Sequence, residues 1–181
     1  MKGLIVFSHN MEDVESLATR ALLVRAGFDM HSLTFEDTKH IHTAFHQEII
    51  AEHTMDELEI DSYDFVVVPG GKYVSQVVDQ DVNIKALVTQ FYQRNKLVAA
   101  ICAGPRFLGQ AGLLDGKNFT AFTGSEIDMP KGNYLPDKKT VRDGNIITAR
   151  GAGAVYEFAY EIVSYFKGES KAKTLLKSIL F

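Results

Sequence analysis

Residues 97–107, LVAAICAGPRF, contain a short apolar run that ends directly at a cysteine, and they indicate the fold most clearly. A continuous apolar run of this kind is typical of a strand buried on both faces of a parallel sheet. Ala103 and Gly104 are small enough to let neighbouring backbone approach, and Pro105 suits the first turn of a helix. The pattern predicts a sharp strand-to-helix turn that lifts the side chain of Cys102 above the sheet.

Strand and helix patterns alternate on both sides of this turn. Apolar runs predict further strands at residues 3–7, 28–35 and 64–68. Apolar residues at helical spacing predict helices at residues 11–26, 84–94, 105–112, 155–166 and 170–180, with Gly27 ending the first. Asp143-Gly144 predicts a hairpin between residues 140–142 and 145–148. Residues 36–62 fit either short strands or an irregular excursion. The whole pattern predicts one doubly wound α/β domain over residues 1–181.

Composition narrows the classes of function. A formal net charge of -4, with no cluster of Lys and Arg, gives no electrostatic support for nucleic-acid or anionic-membrane partners. No apolar stretch approaches the roughly 18 residues that span a bilayer, and residues 1–10 do not resemble a signal peptide. A single cysteine cannot form an internal disulfide, so we expect a reducing, cytoplasmic setting.

Open parallel sheets bind their ligands beyond the carboxyl ends of the strands. Four predicted loops lie at that edge, at residues 8–10, 69–71, 102–105 and 150–153. The loop that carries Cys102 begins a helix, whose N-terminal field favours a thiolate over a thiol. We therefore expect a reactive cysteine with a lowered pKa. The alternative is a buried cysteine that acts only as a small apolar side chain.

Three blocks of sequence are similar to one known family. Residues 97–122 (LVAAICAGPRFLGQAGLLDGKNFTAF), 65–71 (FVVVPGG) and 145–163 (NIITARGAGAVYEFAYEIV) resemble the DJ-1/ThiJ/PfpI family, and most closely its DJ-1 branch. The resemblance covers nearly the whole chain and is weakest in residues 36–62. It implies a flavodoxin-like three-layer α/β/α sandwich with a mostly parallel sheet, like that of class I glutamine amidotransferases. It also implies a homodimer, with Arg25 at the interface.

The resemblance also implies a set of site residues. Cys102 matches the cysteine of the family's strained nucleophile elbow, and Glu15 matches the glutamate that hydrogen-bonds its sulfur. Backbone N–H groups of Gly70, Gly71 and Ala103 match the family's oxyanion pocket, and Arg150 matches an arginine that lines it. Burial would raise the pKa of Glu15 and keep it protonated beside a thiolate. From the pattern alone, a solvated helix carboxylate is the default interpretation of Glu15, and a surface ion-pair partner is the default interpretation of both Arg25 and Arg150.

Histidine placement restricts the chemistry. All six histidines precede Cys102, whereas a glutamine amidotransferase needs a histidine after its cysteine. Peptidase-like relatives carry a histidine directly after the nucleophile, where this chain has Ala103. The DJ-1 branch often has one about twenty residues further on, where this chain has Phe122. His9 remains a candidate to line the pocket. His40-x-His42 lacks the further ligands that a metal site requires, so we expect no metal.

Two functions follow from the family resemblance. The first is cofactor-independent glyoxalase or deglycase chemistry, in which the Cys102 thiolate attacks a reactive aldehyde such as methylglyoxal, or a glycated substrate. Glu15 would then move the protons that yield lactate. The second is a non-enzymatic oxidative-stress sensor or chaperone, whose cysteine is oxidised to sulfinic acid. The sequence leaves the choice between them open and requires no cofactor for either.

Overall fold

The apolar runs of the sequence lie side by side as the inner strands of a seven-stranded sheet. In the computed structural model, which describes residues 1–181, the strands are β1 (Lys2–Val6), β2 (Asp29–Thr34), β3 (His40–His42), β4 (Glu48–Ile50), β5 (His53–Thr54), β6 (Phe65–Val68), β7 (Leu97–Ile101), β8 (Asn118–Phe119), β9 (Asn133–Tyr134), β10 (Thr140–Asp143) and β11 (Ile146–Ala149). The main sheet has the order β10-β11-β7-β6-β1-β2-β5. Only its β10–β11 pair is antiparallel, so the predicted mostly parallel sheet is confirmed.

Helices flank this sheet. They are α1 (Thr19–Arg25), α2 (Lys72–Val77), α3 (Asn83–Gln93), α4 (Pro105–Gln110), α5 (Val155–Lys167) and α6 (Glu169–Ser178). Helix α5 packs against α1 and α6, while α3 packs against α4. Every residue of β6 and β7 is buried, because helices cover both faces of the central strands. The parallel strands β1, β6, β7 and β11 therefore bring their carboxyl ends to one edge of the sheet.

The predicted turns and hairpin are present. Gly27 follows α1 with a φ of 79°, the left-handed conformation that commonly ends a helix. Strands β10 and β11 pair from Thr140↔Ala149 to Asp143↔Ile146, so the hairpin turn consists of Gly144 and Asn145. The turn lies one residue later than an Asp143-Gly144 centre would place it.

The first helix differs from its prediction. The first helical segment begins with a π-helical turn at Val14–Ala18, which leads into the regular α1, and the apolar side chains of Val14 and Val24 are exposed. The polar side chains of Glu15 and Thr19 are buried instead. Helical spacing alone misplaces the buried face because a π turn rotates the residues that precede α1. Helix α2 was also not predicted, since six residues are too few to display a helical period.

Both interpretations of residues 36–62 occur. Strands β3 and β4 form a separate antiparallel hairpin, whereas β5 adds to the edge of the main sheet and two 3-10 turns follow it. The hairpin packs against the segment that follows β1: the Asn10 N–H donates to the His42 carbonyl at 2.8 Å, and the Thr43 hydroxyl donates to Asp13 at 2.6 Å. No helix in the structure is both long and apolar enough to cross a membrane.

Candidate active site

A cavity of about 530 Å³ opens at the edge where the parallel strands end. It draws residues from five separate parts of the chain, which the parallel sheet brings together. Its lining consists of Glu12, Glu15, Cys102, Ala121, Phe122, Thr123, Pro136, Arg150, Gly151, Ala152 and Gly153. Two acidic side chains, one arginine and the only cysteine of the chain therefore face one small volume.

Cys102 has a backbone conformation that few residues adopt. Its φ is 62°, in the left-handed region, where a non-glycine residue costs of order 1–3 kcal/mol. The surrounding backbone fixes this conformation, because the Cys102 N–H donates to the Ala149 carbonyl at 2.8 Å and its carbonyl accepts from the Phe122 N–H at 2.8 Å. The sharp turn predicted after β7 is present, and it directs the thiol into the cavity wall.

Glu15 is the most buried charged residue of the cavity, with 1% of its surface exposed. It lies in the π-helical turn, where the backbone N–H of Gly70 donates to its carboxyl Oε2 at 3.0 Å and a backbone hydrogen bond comes from Ala152. Burial raises the pKa of Glu15 to about 7, against the hydrogen bond from Cys102 that lowers it. Glu15 can therefore hold or release a proton near neutral pH.

The side chains of Glu15 and Cys102 form a close pair beside Gly70, and each shifts the pKa of the other. Burial, and then the charge of an ionised Glu15, raises the pKa of the Cys102 thiol, whereas the N–H of Ala103 lowers it. The expectation that the helix N-terminus lowers this pKa is therefore wrong, since α4 has only six residues and burial outweighs it. When Glu15 holds a proton, its charge is absent and its O–H becomes a donor to the sulfur.

The glycines of the 69–71 loop have distinct roles. A Cβ placed on Gly70 would lie 2.6 Å from both the Cys102 Cβ and the Glu15 Oε2, so Gly70 allows the pair to meet. Gly71 has a φ of 126° and approaches the backbone of Asn10 and Glu12, rather than lining the cavity. The structure brings Gly70 and Ala103 to the pair and places Gly71 beside it, as a support for the segment that carries Glu12.

Arg150 and two further residues complete the cavity. Arg150 follows β11, is exposed, and forms none of the salt bridges of the structure, which leaves its guanidinium available to a ligand. Glu12 was not predicted as a site residue, although it belongs to the same acidic cluster as Glu15. Its Oε2 accepts from the Glu15 N–H at 2.6 Å. Phe122 also lines the cavity, at the position where the DJ-1 branch often has a histidine.

His9 does not enter the cavity. The backbone N–H of His9 donates to the Glu36 carboxylate at 3.1 Å. The ring Nδ1 of His9 accepts from the backbone N–H of His42 at 3.1 Å, and the two histidine rings stack with centroids 5.6 Å apart. The β3–β4 hairpin thus draws the ring away from Cys102, which corrects the interpretation of His9 as a pocket residue. No group of three or more His, Cys, Asp or Glu side chains is arranged to hold a metal ion.

The sequence was compared with protein families and with known proteins. The model of the DJ-1/PfpI family matches residues 1–165. The chain belongs to the DJ-1/PfpI family. Deglycase PfpI of Pyrococcus furiosus is 32% identical, over 92% of this chain and 100% of that protein. Glutathione-independent glyoxalase DJR-1.2 of Caenorhabditis elegans is 29% identical, over 93% of this chain and 89% of that protein.

A solved structure from the DJ-1/PfpI family shows the same architecture. The crystal structure of Drosophila melanogaster DJ-1beta superposes with a TM-score of 0.90 at 28% identity, covering 99% of this chain and 97% of that chain. The flavodoxin-like DJ-1 fold expected from the sequence is therefore confirmed. The names of the two relatives connect the DJ-1/PfpI family with glyoxalase and deglycase chemistry.

Proposed function

We propose that this protein converts small 2-oxoaldehydes such as methylglyoxal into 2-hydroxy acids such as lactate, without a cofactor. The observation that carries this proposal is the Glu15–Cys102 pair in the cavity wall, where a nucleophile contacts an acid that titrates near pH 7. A nucleophile within reach of a base is the arrangement that covalent catalysis requires. The relatives named as a deglycase and a glyoxalase support the same chemistry.

The reaction begins when Glu15 accepts the Cys102 proton and the sulfur attacks the aldehyde carbon. The carbonyl oxygen takes that proton back from Glu15, giving a hemithioacetal. Glu15 then removes the hydrogen of the former aldehyde carbon as a proton, and the electron pair passes into an enediol. Protonation of the neighbouring carbon leaves a thioester of the hydroxy acid. Water hydrolyses this thioester and restores the thiol, so the net change is addition of one water molecule.

Other residues of the site have supporting roles in this scheme. The N–H of Ala103, which faces the sulfur, stabilises negative charge that develops beside it, and Gly70 keeps the Glu15 carboxyl in place. The Arg150 guanidinium holds the carboxylate of the product. In an adduct of methylglyoxal with an amine, the carbon bonded to the nitrogen has the same oxidation level as the aldehyde carbon. Cys102 can attack it in the same way, so the proposal extends to deglycation.

A second function is favoured by one observation. Cys102 is partly exposed in an open cavity, where a peroxide can reach it. The thiolate would reduce one peroxide molecule to water or alcohol and become a sulfenic acid, and a second would give the sulfinic acid. A protonated Glu15 would donate a hydrogen bond to the sulfinate. This oxidative-stress sensor needs no turnover of aldehyde, and a chaperone role would follow from the same modification.

Comparison of the wild type with Cys102→Ser separates the two functions. We expect the wild type to form lactate from methylglyoxal, measured by lactate dehydrogenase, and the variant to form none above the uncatalysed rate. Absence of turnover in the wild type, with selective formation of the Cys102 sulfinate on treatment with hydrogen peroxide and mass spectrometry, would instead support the sensor. Equal lactate formation by both proteins contradicts a role for Cys102.

We also propose that two copies of the chain associate through the outer face of α1. Ala21 and Val24 are exposed on this face, and Arg25 borders an apolar groove with Tyr156 and Phe181. Exposed apolar surface of this kind is typical of an interface. We expect Ala21→Glu to convert a dimer to a monomer in analytical ultracentrifugation, whereas Lys173→Glu on α6 leaves the dimer intact. We also propose a cytoplasmic location, because a single cysteine cannot form an internal disulfide and a reducing compartment keeps it as a thiol.

A further inference from the structure

Phe122 is an exposed aromatic side chain beside the thiol. It is 56% exposed although it is large and apolar, and it lines the cavity. Its N–H donates to the Cys102 carbonyl at 2.8 Å, which ties its backbone directly to the nucleophile. A Cβ placed on Gly151 would lie 3.8 Å from the Phe122 Cδ2 and 4.0 Å from the Cys102 Sγ, so the ring and the sulfur border the same space.

The surroundings of Phe122 provide a surface for a planar apolar group. Ala121 and Pro136 add apolar lining, whereas the charged groups of the cavity are Glu12, Glu15 and Arg150. A cavity of about 530 Å³ is much larger than a three-carbon aldehyde needs. An aromatic ring that faces such a space stacks favourably on another ring, and it lacks the proton-transfer capacity of a histidine.

We infer that Phe122 makes the enzyme selective for 2-oxoaldehydes that carry an aromatic substituent. This inference rests on the proposed function and names its substrate class. The aldehyde carbon reaches Cys102, while the aromatic ring of the substrate stacks against Phe122. The chemistry is that of methylglyoxal: phenylglyoxal takes up one water molecule, with oxidation of the aldehyde carbon and reduction of the neighbouring one, and gives mandelate.

The test compares initial rates on phenylglyoxal and methylglyoxal for the wild type, Phe122→Ala and Phe122→Tyr. We expect the wild-type kcat/KM to favour phenylglyoxal by about tenfold, Phe122→Ala to lose this preference, and Phe122→Tyr to retain it. Circular dichroism and ultracentrifugation check that all three proteins have the same fold and assembly. A ratio that is equal in all three proteins overturns the inference.

A second readout does not depend on turnover. Mandelate and lactate are compared as protectants of Cys102 against alkylation by iodoacetamide, with the same three proteins. Stronger protection by mandelate in the wild type and Phe122→Tyr, lost in Phe122→Ala, supports the aromatic subsite even if neither aldehyde is converted. In that case the proposed function fails while the subsite stands. Equal protection by both acids in the wild type refutes the subsite.

Discussion

The carboxyl group of Glu15 and the side chain of Cys102 meet beside Gly70 although they belong to distant parts of the chain. The contact is possible because Gly70 has no side chain at the point where the two groups meet. Burial acts on both groups, so their protons are released in two widely separated steps rather than independently. The pair consequently carries a single negative charge through the range above neutral pH.

This pairing predicts the pH dependence of Cys102 reactivity. We expect the rate of alkylation by iodoacetamide to rise through an apparent pKa of about 7 and then to level off, because loss of one proton from the pair creates the reactive form. In Glu15→Gln this rise should disappear, since the thiol loses its base. Rates measured from pH 5 to 9 by mass spectrometry provide the test. A rise centred near the ordinary thiol value of about 8.5 in both proteins would contradict the pairing.

The same burial predicts a dependence of stability on pH. The pKa of Glu15 is raised from 4.5 to about 7 in the folded state, so the unfolded state loses its proton first as the pH increases. The folded state then binds more protons between these values, and its stability falls by roughly 3 kcal/mol across that window. We expect the free energy of unfolding, measured with urea, to show this loss in the wild type relative to Glu15→Gln. Parallel curves for the two proteins between pH 4 and 8 would refute it.

Glu12 should adjust this equilibrium through its charge. Its carboxylate repels the charged form of Glu15 and thereby raises the pKa of Glu15. Glu12→Gln retains an oxygen for the hydrogen bond from the Glu15 N–H but removes the charge. We expect the midpoint of the alkylation profile to move to lower pH in this variant. Glu169→Gln, on the exposed start of α6, is the matched control and should leave the midpoint unchanged.

Gly70 should tolerate no side chain. In Gly70→Ala the added methyl group would lie 2.6 Å from both the Cys102 Cβ and the Glu15 Oε2, so the pair must separate. We expect a loss of about 1–3 kcal/mol in unfolding free energy, as overpacking of a tight site produces, together with loss of the neutral midpoint in alkylation. Gly153→Ala is the control for stability, because a Cβ there meets nothing within 4 Å. Equal stability of both variants would exclude close packing at Gly70.

The sequence predicted those parts of the molecule that depend on local pattern. The apolar run ending at Cys102 corresponds to β7 at both of its ends, because a buried central strand leaves no room for polar residues. Local sequence signals also predicted the strand before Pro69 and the hairpin at Gly144. Glu15 was located only through resemblance to a family, since its burial depends on a π-helical turn that apolar spacing does not record.

The errors arose where one segment of the chain changes the surroundings of another. His9 lies in the correct loop, but the β3–β4 hairpin packs on that loop and takes up its ring. The pKa of Cys102 was expected to fall because a helix follows it, yet burial among residues from other strands has the opposite effect. Both outcomes depend on tertiary contacts that neighbouring residues in the sequence cannot specify.

The left-handed backbone of Cys102 limits which amino acids evolution or a designer can place there. A side chain branched at Cβ would clash in this conformation, so threonine is excluded as an alternative nucleophile. Among hydroxyl and thiol side chains, serine and cysteine remain, and they differ in nucleophilicity and in response to oxidants. Among hydroxyl and thiol nucleophiles, the turn therefore leaves the primary alcohol of serine and the thiol of cysteine, and excludes the secondary alcohol of threonine.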